Sequence, residues 1–125
     1  MKKIISTPHA PKAVGPYSQA TETSGTTLYV SGQLPIDPAT GTMPESIEEQ
    51  TRQALKNTMA ILAEAGYSAA HVVKSTVLLA DMGDFAAMNG VYARFYTCDM
   101  PARVCYQVAA LPMGAKVEIE TVAVK

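Results

Sequence analysis

The chain is poor in the residues that mark several large classes of protein. It has 125 residues, no tryptophan, two phenylalanines and two cysteines, and its charged fraction is only 17%. Cys98 and Cys105 have no metal-type spacing and cannot form a disulfide framework, so we expect both to remain reduced thiols. No run of lysine or arginine occurs and the formal net charge is −1. This balance disfavours a nucleic-acid binder, which depends on phosphate contacts.

Long apolar runs are also absent. No stretch reaches membrane-spanning length, and the first residues lack the apolar core of a signal peptide. We therefore expect a cytoplasmic protein with no membrane association. The length predicts one domain, residues 1–125, with a single core. Hydrophobic residues still make up 48% of the chain. So low a charge fraction suggests a partly covered surface, which further copies of the chain would provide.

Periodicity and capping signals predict two helices. The first covers residues 46–66, where Ser46 and Glu49 form a capping box and Gly66 ends the helix. Its apolar stripe has helical spacing and comprises Ile47, Thr51, Ala54, Thr58, Ile61, Leu62 and Ala65. A second helix over residues 85–97 is predicted to be capped by Asp84.

Alternating runs between turn formers predict the strands. A hairpin is predicted over residues 18–32, with Ser24 and Gly25 at its turn. The predicted element order is β-β-β-α-β-α-β-β, with two helices on one face of a mixed sheet, an α+β fold. Further strands are predicted at residues 2–6, 71–81, 102–111 and 116–124.

The strand PARVCYQVAALP carries unusual polar groups. Alternation places Arg103, Cys105 and Gln107 on one face, and Val104 and Tyr106 on the other. If this strand forms a hairpin with the last strand, Arg103 lies near a glutamate. Arginine can bind a carboxylate or phosphate with two parallel hydrogen bonds, and a nearby carboxylate can order a water. Spacing alone favours a plainer interpretation, an ion pair at a sheet edge or subunit interface.

Other candidates are individually weak. Cys105 could be a nucleophile, but neither histidine is suitably placed, which favours a small space-filling role. Tyr17 can lend its hydroxyl to a ligand or simply pack. Ser31 and Gly32 resemble a small anion or carbonyl site, and Asn89 is either a ligand amide or a surface residue. No phosphate loop, zinc spacing or Ser/His/Asp motif is present.

Six segments occur in a characteristic order: APKAVGPYSQA, LYVSGQLPIDPATG, EEQTRQALKN, FAAMNGVYARFY, PARVCYQVAALP and VEIETVAV. Together they resemble the RidA family, also called YjgF or L-PSP, over essentially the whole chain. The resemblance implies a chorismate-mutase-like fold and a homotrimer with a barrel-like centre and three sites between subunits. It also implies deamination of reactive enamines and imines to 2-keto acids and ammonia. Substrates of this kind, such as 2-aminoacrylate and 2-aminocrotonate, come from pyridoxal-phosphate-dependent dehydratases.

The resemblance also implies residue roles. Arg103 matches the arginine that binds the substrate carboxylate, and Glu118 matches the glutamate that orients the attacking water. No metal or organic cofactor is required, because a protonated imine carbon is already electrophilic. The remaining matches are pocket residues, with the cysteine contributing mainly backbone contacts: Tyr17, Ser31, Gly32, Asn89 and Cys105.

Three positions depart from the family pattern. Val104 follows the arginine where a small residue is common, and Tyr106-Gln107 replaces a usual Val-Glu. We expect the first two to alter core or interface packing, whereas Gln107 shares the face of Arg103 and could alter substrate preference.

Two other functions remain open at this point. One is a non-catalytic regulator that binds small 2-keto carboxylates in the same cleft between subunits. The other is an endoribonuclease or translation inhibitor, against which the charge balance argues.

Overall fold

Six strands and two helices follow one another in the predicted order in the computed structural model, which describes all residues from Met1 to Lys125. The α+β class is therefore confirmed. No helix combines the length and hydropathy needed to cross a membrane. The elements are β1 (Lys2–Ile5), β2 (Ala20–Thr23), β3 (Thr27–Gln33), α1 (Ile47–Glu64), β4 (Val72–Leu79), α2 (Phe85–Tyr92), β5 (Ala102–Gln107) and β6 (Val117–Val124).

The strands form two sheets. The larger is mixed and has the order β3-β6-β4-β5, in which only β4 and β5 run parallel. The smaller is an antiparallel pair of β1 and β2. Because α2 connects β4 to β5, this part of the chain is a βαβ crossover.

The hairpin predicted over residues 18–32 is wrong, and the hairpin considered for the last two strands does not form. β2 pairs with β1 rather than with β3, and β6 inserts between β3 and β4, so β5 and β6 are not neighbours. Local turn signals missed this because β3 pairs with the end of the chain: Thr26 and Lys125 exchange backbone hydrogen bonds of 2.8 and 3.1 Å. β4, the most apolar strand, takes an interior position between β5 and β6, which buries Val72, Val77 and Leu79.

Helix α1 forms close to its predicted limits. The Ser46 hydroxyl accepts a hydrogen bond from the Glu49 amide, and Gly66 has a φ of 80°, the left-handed conformation that ends a helix. Only this half of the predicted capping box forms, because the Glu49 side chain bonds to Arg52 instead of the Ser46 amide. The predicted stripe is largely buried, although Ile61 and Ala65 are exposed. Leu55 is fully buried and was missed by the stripe.

Helix α2 ends earlier than predicted. It stops at Tyr92, where the Phe95 amide bonds to the Tyr92 carbonyl and so tightens the last turn. The side chain of Asp84 makes no capping hydrogen bond; Asp81 instead caps a short turn at Met82–Asp84 by accepting from the Gly83 amide.

The four-stranded sheet has one covered and one open face. Ser75, Val77, Ile119 and Thr121 lie on the helix-covered face and are buried, as expected for the alternation in β6. On the open face, large side chains stay exposed, including Tyr29 (78%), Val104 (43%) and Tyr106 (49%). Val104 and Tyr106 therefore pack against no core in the single chain.

Candidate active site

Arg103 lies opposite Ser75 in the β4–β5 register, on the helix-covered face of β5. Three aromatic rings surround its guanidinium, with ring centres 5.5 Å (Tyr17), 5.7 Å (Phe85) and 4.8 Å (Tyr92) from the guanidinium carbon. The Met88 sulfur lies 3.8 Å from Nη1. These distances are within the range of cation–π attraction, so the rings hold the guanidinium in place.

The Arg103 guanidinium has no carboxylate partner. The chain contains one ion pair, between Arg52 and Glu49 on the surface of α1. Burial lowers the pKa of Arg103, and Tyr92 nearby opposes that shift most strongly. A half-buried cation without an anion is costly for a protein, and a ligand carboxylate or phosphate would supply the missing charge.

The loop before β2 leaves space beside the guanidinium. A methyl group on Gly15 would lie 3.2 Å from Arg103 Nη2 and 3.4 Å from Asn89 Nδ2, so glycine keeps two donors accessible. The Tyr17 hydroxyl accepts a hydrogen bond from the Val14 amide at 3.2 Å, which orients this loop. These contacts bring Tyr17 and Asn89 together with Arg103.

A cavity of about 300 Å³ opens at Arg103. Its surface is mostly apolar, which suits a small ligand with one charged end. Cys105 lies in its wall, and burial raises the pKa of this thiol against the opposing effect of Arg103. The thiol therefore stays protonated at neutral pH and is a poor nucleophile. We call this cavity the Arg103 pocket; its lining residues are Val14, Tyr17, Met82, Phe85, Arg103, Val104 and Cys105.

Glu118 lies elsewhere, on the open face of β6, opposite Leu78 of β4. It packs against β3, where the register with β6 is irregular between Val30 and Gln33. A methyl group on Gly32 would overlap the Glu118 carboxylate, so this glycine makes room for it. The adjacent Ser31 is exposed. We call these three residues the Glu118 group.

One chain does not bring the Arg103 pocket and the Glu118 group together. Arg103 and Glu118 occupy opposite faces of the sheet, with β4 between their strands. The expectation that a hairpin would place Arg103 near a glutamate is wrong, because β5 and β6 are not paired. The plainer interpretation, an ion pair at a sheet edge, is also absent within the chain, whereas a pair at a subunit interface stays a prediction.

Some residues that contact the Arg103 guanidinium were missed from the sequence. Phe85, Met88 and Tyr92 share one face of α2 with Asn89, at the spacing i, i+3, i+4 and i+7. That spacing was visible in the sequence and could have identified them. Nothing in the sequence distinguished Gly15 from other turn glycines.

A cluster of hydroxyls lies in the core behind Arg103. Four side-chain hydroxyls here are buried and meet no hydrogen-bond geometry: those of Ser75, Tyr92, Tyr96 and Thr121. Burial raises the pKa of Tyr92 to about 12, although the nearby Ser75 hydroxyl and Arg103 oppose the shift. Ser75 is therefore close to Tyr92 without meeting hydrogen-bond geometry. Burial also raises the pKa of Tyr96.

Other parts of the surface offer less chemistry. A cavity of about 460 Å³ between α1 and the end of β3 is largely apolar and includes Gly32 and Ile61. Another, of about 310 Å³, is polar and lies between α1 and the loop that includes Met43. No group of three or more His, Cys, Asp or Glu side chains is arranged to hold a metal ion.

One family model and several full-length relatives match this chain. The family model described as Endoribonuclease L-PSP matches residues 7–125. A mouse protein named 2-iminobutanoate/2-iminopropanoate deaminase is 50% identical, over 100% of this chain and 93% of its own. The crystal structure of E. coli TdcF with bound serine is 43% identical, with a TM-score of 0.78 and 98% of each chain covered. RidA from an Antarctic Psychrobacter is 45% identical, also with a TM-score of 0.78, over 98% of this chain and 99% of that one.

Proposed function

Because this chain belongs to the L-PSP family, which includes the RidA and YjgF proteins, we propose that it is a deaminase of reactive enamines and imines. The observation that carries the proposal is the half-buried Arg103 guanidinium, which has three aromatic neighbours and no anion. A small 2-imino acid supplies the missing carboxylate. The curated relatives named as 2-iminobutanoate/2-iminopropanoate deaminases support this substrate class.

The proposed reaction is a hydrolysis. The enamine takes up a proton at carbon and becomes an iminium ion, and water adds to the carbon that carries nitrogen. The C–N bond then breaks, so that iminium and water yield a 2-keto acid and ammonium. Arg103 holds the carboxylate and fixes the position of the reacting carbon. Glu118 accepts a hydrogen bond from the attacking water and so increases its nucleophilicity.

A site with both residues needs two copies of the chain, since Arg103 and Glu118 lie on opposite faces of one sheet. We propose a homotrimer in which the open faces meet around a barrel-like centre. The exposed Tyr29, Val104 and Tyr106 on that face support this assembly, because their burial between copies is favourable. Each of three clefts then combines the Arg103 pocket of one copy with the Glu118 group of its neighbour.

The other matched residues complete the proposed site. Asn89 Nδ2 lies beside the guanidinium and can donate to the substrate carboxylate. Tyr17 supplies a wall, Cys105 contributes backbone contacts, and Ser31 and Gly32 border the water. No step needs a metal or organic cofactor, since the iminium carbon is already electrophilic. We further propose that the protein acts in the cytoplasm on products of pyridoxal-phosphate-dependent dehydratases.

A coupled assay tests this function. Purified protein is added to a threonine dehydratase reaction, and release of 2-ketobutyrate and ammonia is followed against spontaneous hydrolysis. We expect faster release with the wild-type protein and none of that gain with Arg103→Ala. Equal rates with and without protein, for every dehydratase substrate tried, would refute the deaminase.

A second candidate is a non-catalytic regulator that binds small carboxylates in the same cleft. The E. coli relative solved with bound serine supports this possibility. Calorimetry with 2-ketobutyrate distinguishes the two functions. Tight binding without any acceleration of imine hydrolysis would favour the regulator.

A further inference from the structure

Gln107 has a specific contact with the loop that precedes α2. Its Oε1 accepts a hydrogen bond of 2.8 Å from the backbone amide of Met82, 25 residues earlier in the chain. Gln107 is opposite Leu79 at the end of the parallel β4–β5 ladder, so its side chain reaches from β5 to the turn that follows β4. No backbone carbonyl within the turn can accept from this first amide.

This turn determines where the Met82 side chain lies. Met82 begins the short turn Met82–Asp84, which leads directly into α2. Asp81 fixes the turn from one side by accepting from the Gly83 amide, and Gln107 fixes it from β5. Loss of the Gln107 oxygen leaves the Met82 amide without this partner and releases one of the two side-chain contacts that hold the turn.

Met82 is part of the wall of the Arg103 pocket. It lines this cavity together with the apolar residues Val14 and Phe85, and it is 38% exposed. In a 2-imino acid, only the imine carbon separates the carboxylate from the substrate side chain. When Arg103 binds the carboxylate, the substrate side chain therefore contacts these walls. Methionine is unbranched and flexible, so its side chain can occupy different parts of such a cavity.

We propose that Met82 limits the length and branching of the substrate side chain, and that Gln107 is the positioning residue that holds Met82 in place. Within the 2-imino acids of the proposed function, those with short, unbranched side chains are then preferred. This inference rests on the proposed deaminase function and adds to it the residues that select among imines. It also gives a physical role to Gln107.

Competing imines test the proposal. An amino-acid oxidase generates 2-imino acids from 2-aminobutyrate and from leucine, and the acceleration of 2-keto acid release gives kcat/KM for each. The selectivity ratio is kcat/KM for the leucine-derived imine divided by kcat/KM for the imine from 2-aminobutyrate. For Met82→Ala we expect this ratio to rise about tenfold, the range expected when a hydrophobic pocket gains space for a branched side chain. Gln107→Met, which keeps the shape but loses the acceptor, should raise the ratio roughly threefold, mainly through KM.

Two variants serve as matched controls. Gln107→Glu retains an oxygen acceptor for the Met82 amide and should keep the wild-type ratio. Met43→Ala makes the same deletion as Met82→Ala in a different cavity and should also keep it. If Met82→Ala leaves the ratio unchanged, Met82 is not the limiting wall. If only Gln107→Met leaves it unchanged, the positioning role is refuted.

Calorimetry separates this inference from the proposed function. The affinities for 2-ketobutyrate and 4-methyl-2-oxopentanoate are measured in the same variants. A protein without deaminase activity whose affinity ratio still shifts in Met82→Ala and Gln107→Met would refute catalysis but support the pocket assignment. Deaminase activity with no shift in either ratio would refute the assignment alone. Absence of both activity and binding would refute both.

Discussion

At the scale of single residues, Arg103 is a group that a purely structural protein would avoid. It is a half-buried cation with no anion in the chain. Such a cation weakens folding unless an anion neutralises it. In the proposed function, a ligand carboxylate completes this charge pair. The Cys105 thiol, by contrast, is protonated at neutral pH because burial raises its pKa.

Replacing Arg103 should separate function from stability. Arg103→Met removes the cation but retains an apolar chain against Phe85 and Tyr92. We expect imine hydrolysis to fall at least about 100-fold, since bidentate binding of the carboxylate is lost. The free energy of unfolding should stay level or rise by at most about 1 kcal/mol, because the guanidinium is only partly desolvated. Urea unfolding and the dehydratase assay measure the two effects, and a large loss of stability would contradict this account.

Tyr92 and Tyr96 should make the fold sensitive to alkali. Burial raises the pKa of Tyr92 to about 12 and also raises that of Tyr96. The unfolded chain ionises first, near pH 10, so stability that is complete below pH 10 is lost as pH rises toward the folded-state pKa. The slope that each tyrosine contributes should grow through pH 10 and approach about 1.4 kcal/mol per pH unit near pH 11. Urea unfolding between pH 9 and 11 measures the slope, and the Tyr92→Phe, Tyr96→Phe double variant should flatten it.

At the scale of elements, the site depends on how strands end and bend. The irregularity in β3 at Gly32 opens space for the Glu118 carboxylate of the adjacent strand. The turn at Met82–Asp84 joins β4 to the helix that carries Phe85 and Asn89. Both features belong to backbone at the end of a strand, where a small change moves a side chain without disturbing the core.

Gly32→Ala tests the role of the irregular segment. The added methyl group meets the flexible end of Glu118 rather than backbone, so Glu118 can swing away at little cost in stability. We expect kcat to fall about tenfold or more while KM changes little, because the water loses its hydrogen-bond acceptor and the carboxylate anchor stays intact. Steady-state kinetics and thermal unfolding check this. Unchanged kcat would argue that Glu118 does not act on the water.

At the scale of the whole molecule, the two proposed halves of the site lie on opposite faces of one sheet. No side-chain movement within the chain brings Arg103 through the sheet to Glu118. The open face carries large exposed side chains that a second copy can cover. The fold thus makes assembly part of the proposed active site.

Mixing inactive variants tests the shared site. Arg103→Ala and Glu118→Gln should each be inactive alone. Unfolded together in equal amounts and refolded, they should recover about a quarter of wild-type activity, because one cleft in four then combines an intact Arg103 with an intact Glu118 from the next copy. Each variant refolded alone is the control. Failure of a mixed, trimeric sample to regain activity would refute a site shared between copies.

The sequence by itself determined the order of the elements, the limits of α1 and the alternation within β5 and β6. Those features depend on residues a few positions apart, through caps at Ser46 and Gly66 and through periods of two or 3.6 residues. For the same reason, the single face shared by Phe85, Met88 and Tyr92 was readable, although it was not recognised.

Only the tertiary structure decided which strands became neighbours. β6 lies between β3 and β4 because interior burial of apolar strands outweighs the nearest available turn, and no local pattern encodes that choice. This order of the strands separates Arg103 from Glu118 and brings Gln107 into contact with Met82. The motifs named the candidate residues, but contacts such as that between Gln107 and Met82, 25 positions apart in the chain, had to come from the fold.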